Sequence, residues 1–456
     1  MTTPAAELDQ VARRCVPDVL AALVRRYGDF DAAEDALQEA LLDAARQWST
    51  DGLPDNPRGW LITVASRRLV DQWRSDQARA NREHLIARQT PPEDLLSPAA
   101  DAFQDRERDE SLTLLLLCCH PALTKSSQVA LTLRAVAGLS TGQIALAFLV
   151  PEATMAQRIS RAKVRLRQVG ARFGLPSAEQ LPDRVAAAAH ALYLIFTEGH
   201  TATTGAGMSD AFLANEAIRL TRQLHQHLPA AGEVTGLLAL MLLTDARRSA
   251  RTRPDGSLVP LAEQDRSLWD QTLIHEGVHL IEAALPIGPV GPYQLQAAIA
   301  AVHAEAHRAA DTDWDQIETL YRMLSDLAPS AVVSLNHAVA VAMVDGPTAA
   351  LALLEPLLRD RQLRHSHRLH AVHAHLLEME GRLEEARAAY AAAARLATSI
   401  PEQRYLNAKA AQRGTRWPGR RAVLETPPDM RTGVVSPAQV ARTDVADPDA
   451  PGLPRR

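Results

Sequence analysis

The sequence predicts an all-α protein, and three observations carry that prediction. Alanine and leucine dominate a chain that is 46% hydrophobic but only 4% aromatic, which suits helices packed through small aliphatic side chains. Apolar residues recur at helical rather than alternating spacing along most of its length. Helix-start signals stand before those runs, among them Asn56-Pro57 and Ser140-x-x-Gln143. At 456 residues the chain exceeds one core and should form several domains. Three cysteines (Cys15, Cys118, Cys119) are too few for a disulfide framework and fit a reducing compartment. The opening MTTPAAELDQVARRC lacks the apolar core of a signal peptide, and no run approaches a membrane span, so a cytoplasmic protein with no membrane partner is expected. A net charge of −5 confines any nucleic-acid contact to local patches.

Residues 10–88 read as one helical unit. An amphipathic stretch at 20–27 is interrupted by Gly28, and 31–48 (DAAEDALQEALLDAARQW) reads as a long helix. The next helix begins at Asn56-Pro57 and continues as RGWLITVASRRLVDQWRSDQAR. There Leu61, Val64, Ala65 and Leu69 make a buried stripe, while Arg67, Asp71 and Arg74 share an outer face. Trp60 and Trp73 read as core anchors, with stacking on an unpaired base as the alternative. Residues 89–110 carry seven carboxylates against two arginines and should form an extended, solvated linker.

Residues 111–175 hold the sharpest local signal. Ser140 and Gln143 form a capping box, Val150-Pro151-Glu152 breaks the pattern, and Thr154 restarts it. Met155, Ile159, Ala162 and Leu166 fall on one stripe, and Arg158, Arg161 and Arg165 gather on another face. Six basic residues and no acidic one lie between 153 and 177. A short helix pair with one buried and one cationic face is what a major-groove reader needs; the plain alternative is a hairpin with a solvated basic face. Cys118-Cys119-His120 reads as the buried end of a leucine-rich helix, since adjacent cysteines are poorly spaced for one metal.

The C-terminal half reads as helices through 181–310, with loops at 201–207, 251–257 and 286–292. From 311 to 412 a weak repeat appears. Asp345-Gly346 and Glu380-Gly381 each end one helix and start another, 35 residues apart, and Tyr321 and Tyr390 fall at like positions. A period near ~34 residues is the tetratricopeptide (TPR) signature, and such arrays take peptide or protein ligands or pack on their own chain. Residues 413–456 carry seven prolines and no apolar stripe, so disorder is expected there. His275-Glu276-Gly277-Val278-His279 matches the H-E-x-x-H zinc-hydrolase pattern. Leu273, Ile274, Val278, Leu280, Ile281 and Leu285 line one arc of that helix and His275, Glu276, His279 and Glu282 the other, which describes a surface helix. Apart from a distant Glu305 no third ligand offers itself, and no metal, cofactor or catalytic residue is expected.

AEDALQEA at 33–40, then NPRGWLITVASRRLVDQWR, then a linker, then HPALTKSSQVALTLRAVAGLSTGQIALAFLVPEATMAQRISRAKVRLR together resemble a bacterial RNA polymerase sigma factor of the extracytoplasmic-function (ECF) group. LYLIFTEGHTATTG, LMLLTDARRSAR, GPYQLQAAIAAVHAEA and LNHAVAVAMVDGPTAAL resemble the subgroup with a long helical, TPR-like C-terminal extension. The resemblance implies region 2 at 10–88, an acidic linker at 89–110, region 4 at 111–175, a helical extension at 181–310, and TPR-like repeats at 311–412. It implies core RNA polymerase and promoter DNA as partners. Asp35, Leu37, Gln38 and Glu39 match polymerase-docking positions; Arg67, Arg68, Arg74 and Arg79 match contacts to the −10 element; Thr154, Gln157, Arg158 and Arg161 match the reader of the −35 element. Met155 stands where family members often have Val, an exchange of one apolar side chain for another. Two other functions stay open: a TPR-bearing helix-turn-helix regulator that does not act as a sigma factor, and, more distantly, a zinc hydrolase through His275, Glu276 and His279.

Overall fold

The computed structural model describes residues 4–83, 107–148, 150–201, 210–253, 257–360, 363–397 and 399–411, and they are helical almost throughout. A single bridge, Thr252 to Leu258, is the only strand-like pairing among them. The expected loop at 201–207 beyond Thr201, which still belongs to a helix, the tail at 413–456, and most of the linker at 89–110 lie outside the described residues. Two compact units divide the chain at Leu192 and Tyr193.

The first unit opens with α1 (Pro4–Tyr27), α2 (Phe30–Asp51) and α3 (Pro57–Glu83). Helix α1 starts well before residue 20 and runs through Pro17, because Val16, Val19, Leu20 and Leu23 are buried on both sides of it. Asp29 caps α2 by accepting from the Asp31 and Ala32 amides at 3.0 and 3.1 Å, and Asn56 caps α3 by accepting from Gly59 at 2.8 Å. Leu61, Ala65 and Leu69 are fully buried, as their spacing requires, while Val64 of the same expected stripe is only half-buried. Trp48 is the buried anchor of this bundle, with the half-buried Trp60 edge-on against it. Trp73 is not a core anchor: it is 37% exposed and rests edge-on against Tyr27.

The remainder of this unit is α4 (Glu107–Cys118), α5 (Lys125–Ala135), α6 (Thr141–Ala147), α7 (Glu152–Gln168) and the first part of α8 (Leu181–Thr201). Residues 107–110, expected to be extended linker, form the first turn of α4, carried by the buried leucines that follow. Cys118 and Cys119 are fully buried at its end, and the Cys119 Sγ lies 3.6 Å from the Thr132 hydroxyl.

The second unit continues α8 into α9 (Asp210–His227), α10 (Gly232–Asp245), α11 (Gln271–Ala284) and α12 (Pro292–Glu305). Every residue of α10 from Val234 to Asp245 is buried, so it forms the axis of this half. Three close approaches set its packing. Glu233 accepts from the Tyr293 and Gln294 amides at the start of α12, Gly236 meets Gln294, and Gly277 of α11 meets Leu243. Helices α13 (Trp314–Leu327), α14 (Ala331–Val344), α15 (Pro347–Arg359), α16 (His367–Glu380), α17 (Leu383–Leu396) and α18 (Ile400–Ala411) complete the chain. Tyr321 and Tyr390 are buried, and Leu354 occupies the corresponding eighth position of α15 between them. No helix among the described residues is long and apolar enough to cross a membrane.

His303 of α12 is buried edge-on against Trp314. Burial, then the nearby Arg247 and Arg266 guanidiniums, hold its imidazole down to about 3, so the folded unit keeps it neutral where the unfolded chain protonates it near 6.5. The unfolded state therefore binds more protons between those values, and stability drains away as pH falls from about 6.5. Thermal unfolding of the protein should show a midpoint that drops from pH 7 to pH 4, and His303→Gln should flatten that decline. An unaltered pH profile in the variant would show that His303 does not drive it.

Candidate nucleic-acid interface

Helices α6 and α7 form the short pair read from the sequence. The capping box is complete: the Gln143 amide donates to Ser140 Oγ at 3.2 Å and the Ser140 amide to Gln143 Oε1 at 2.9 Å. Met155, Ile159, Ala162 and Leu166 are all buried, which anchors α7 and fixes its rotation. That rotation leaves Thr154, Gln157, Arg161 and Arg165 exposed and Arg158 half-buried. These side chains can meet a groove together, with three forked guanidiniums and one amide within little more than three turns.

The other edge of α7 turns inward. Lys163, only 8% exposed, sits on the buried stripe and reaches α2, where its Nζ lies 2.7 Å from Asp31, 3.1 Å from Glu34 and 2.7 Å from Asp35. Arg134 of α5 donates to the buried Glu34 at 2.7 Å and to the Leu139 carbonyl at 3.2 Å, and Arg167 pairs with Asp31. Burial pulls the Lys163 ammonium down, but Glu34, Asp31 and Asp35 together push it well above the ordinary lysine value. Burial, with Glu34 and Asp31 alongside, raises the Asp35 carboxyl despite the hydrogen bond from Lys163. Three carboxylates thus share three cations. Neither Lys163 nor Glu34 was singled out from the sequence, although each is a charged residue at the register of a buried stripe.

The matched docking positions on α2 fare unequally. Asp35 faces Lys163, and Glu39 is paired with Arg68. The Gln38 side-chain nitrogen is buried without a hydrogen-bond partner. Leu37 is fully buried, which corrects its expected place on a docking surface: it belongs to the packing of the bundle. On α3, Arg67 and Arg74 are exposed, Arg74 lying 3.8 Å from Asp71. Arg68 is clasped by Glu39 and Asp43, so a phosphate could take it only by displacing both. Arg79 is part of α3, with its side chain outside the described residues. Between α2 and α3 opens a cleft of about 770 Å³ with Trp60 and Arg67 on one wall and Arg46 and Thr50 on the other.

The H-E-x-x-H helix is α11. His275 and His279 are exposed, and Glu276 is held by both Arg222 guanidinium nitrogens, one at 2.7 Å. Its buried face is Ile274, Gly277, Ile281 and Ala284, narrower than the arc read from the sequence, because Gly277 lets α10 approach. Among the described residues no three His, Cys, Asp or Glu side chains are grouped to hold a metal ion.

Residues 11–79 match Sigma-70 region 2, and residues 113–166 match Sigma-70, region 4. Residues 184–285 match a family of unknown function, DUF6596. The chain is 44% identical over 398 residues to the uncharacterized protein R00370 of Rhizobium meliloti (strain 1021), spanning 86% of this chain and 92% of that protein. It is 31% identical over 169 residues to the ECF RNA polymerase sigma factor SigL of Mycobacterium tuberculosis (strain ATCC 25618 / H37Rv), spanning 36% of this chain and 91% of SigL. With the probable ECF RNA polymerase sigma factor SigI of the same strain it shares 31% identity over 144 residues, 32% of this chain and 49% of SigI. No solved structure matches it.

Proposed function

Because the chain belongs to the ECF sigma factors of RNA polymerase, we propose that it binds core polymerase and directs initiation at a particular promoter set, its C-terminal extension adjusting that activity. Residues 10–88 take polymerase through the acidic row of α2 and open the −10 element along α3. Residues 111–175 read the −35 element with α7. The observation that carries this reading is the solvent-facing row of α7, where Thr154, Gln157 and Arg161 stand exposed on a helix whose opposite face is locked in the core. The extension at 181–310 and the repeats at 311–412 exceed what promoter recognition needs; they act on the sigma core or take a peptide ligand. The protein works in the cytoplasm and catalyses nothing itself.

In vitro transcription with core polymerase, mapping start sites genome-wide, tests the reading. The full chain should confer specific starts that core polymerase alone does not make. Failure of both the full chain and a chain ending at Ser177 would dismiss it, and equal activity of the two would remove the regulatory role of the extension. At the −35 reader, Arg158→Ala should weaken specific promoter binding by roughly 1–3 kcal/mol, read by titration on promoter and random duplexes. Equal loss on both would make Arg158 a phosphate contact.

A further inference from the structure

Two sequence motifs that promoter reading leaves unused meet in the second unit: YLIFTEGH at 193–200 and LMLLTDARRSAR at 240–251. Arg251 donates to the His200 carbonyl at 2.7 Å, which sets the turn after α10 against the end of α8. Trp269 joins them. The Arg247 guanidinium carbon lies 5.8 Å from its ring centroid, and that of Arg266 lies 4.5 Å away. Arg266 also donates to the His303 and Ala306 carbonyls at 2.5 and 2.6 Å, which adds the end of α12. Four segments of chain thus converge, three of them inside the match to the family of unknown function.

The charges at this junction are lopsided. Arg247 and Arg251 are 4% and 8% exposed, and the buried carboxylate beside them is Asp245, which already accepts from Arg248 Nε at 2.8 Å. Asp265 and Asp270 lie at the surface and spend their carboxylates on the Ser267 and Thr272 amides. Asp311, which faces Arg266, is held by two Arg308 nitrogens, each at 2.9 Å. Even with the half-buried Glu198 counted, Arg247, Arg251 and Arg266 share at most one uncommitted carboxylate among the described residues. Carbonyl oxygens fix Arg251 and Arg266 in place without cancelling their charge, and buried charge is costly unless answered. A second sign is independent of charge. The Trp269 indole, 3% exposed, keeps an Nε1–H with no acceptor among the described residues, and so does the fully buried Thr244 hydroxyl three residues before Arg247. Buried donors are nearly always answered. Capping of helix ends accounts for Arg251 and Arg266, but not for Arg247 or the indole donor.

We propose that Arg247, Arg251 and Arg266, with the Trp269 indole N–H, form a binding site for the phosphate or carboxylate head of a small-molecule anion. Forked guanidiniums and an N–H donor match the oxygens of such a group. Arg248, on the same turn, is 33% exposed, so the cluster reaches solvent on that side. The site gives residues 184–285 a ligand to answer to, and it stands or falls without the sigma reading.

The test uses the full chain with inorganic phosphate and succinate as probes and sodium chloride of equal ionic strength as the blank. Thermal unfolding and titration calorimetry read binding. At least one probe should raise the unfolding midpoint above the blank, and the stronger of the two tells which head the site prefers. Arg247→Met should weaken that probe about tenfold, the loss of one hydrogen bond from a charged donor. Trp269→Phe keeps the ring, removes the N–H, and should weaken it about fivefold. Arg253→Ala, at an exposed position on the adjoining loop, should change nothing. If Arg247→Met fails to fold, Trp269→Phe carries the test. Silence from both probes up to about 20 mM, where a millimolar site would be nearly full, overturns the proposal. Binding that no folded variant weakens overturns it too, since the anion then sits elsewhere.

Discussion

Gly236→Val is expected to force α10 away from α12 and unfold the first half of the C-terminal unit. A Cβ built on Gly236 would stand 2.7 Å from the Gln294 backbone nitrogen and 2.8 Å from its Cα. Favourable carbon contacts lie near 3.5–4.0 Å, so the main chain of α12 would have to retreat. It has little freedom to do so. Glu233, one turn before Gly236, holds the Tyr293 and Gln294 amides, and the Gln294 side chain donates to the Ala284 carbonyl at 2.9 Å. Overpacking of side chains costs about 1–3 kcal/mol, and a clash with backbone in a helix buried all round should reach or exceed about 3 kcal/mol. Thermal unfolding and hydrogen exchange of the α10 and α12 amides would read this. A Gly236→Val protein with native protection in α12 would mean that the two helices are not so close.

Glu34→Ala is expected to loosen α5 and α7 from α2 by about 3 kcal/mol, near the lower end for breaking a buried ion set. The substitution removes the carboxylate from Arg134, which retains only the Leu139 carbonyl, and takes one of three partners from Lys163. Asp31 and Asp35 remain for the lysine, which is why the loss should not be larger. Glu34→Gln keeps the shape and one acceptor and should cost less. Native-state exchange of the α5 amides is the measurement, with protection falling about a hundredfold in Glu34→Ala. Undiminished protection would show that the apolar packing of these helices suffices without the charges.

The helices and their starts were readable because caps and stripes are local. Asn56, Ser140 and the Met155–Leu166 stripe each act through neighbours within four residues, and each took the predicted place. One reading of this kind failed where tertiary burial overrode the local signal: residues 107–110, expected in the linker, join α4. The exposed row of α7 was legible for the same reason as its stripe. What lay beyond reach was everything carried across a hundred residues or more, such as Lys163 with Glu34 or Arg134 with Glu34. A hint was present, since Lys163 follows Ile159 by four and Glu34 precedes Leu37 by three, placing charge on faces otherwise apolar. Periodicity can mark such a residue as needing a partner without saying which. Leu37 shows the converse: a motif match assigned it to a surface, while its own spacing among alanines assigned it to the core.

The unequal exposure of the cations on α7 bears on how the protein answers to ionic strength. Arg161 and Arg165 stand at the surface, and any duplex phosphates they neutralise release the cations condensed on the DNA, so added salt should erode that association steeply. Lys163 lies where the Debye atmosphere hardly penetrates, and its attraction to α2 is screened far less. On the proposed reading one helix carries a salt-sensitive grip on DNA beside a salt-tolerant grip on its own chain, and a rise in electrolyte should tip the balance between them toward the second.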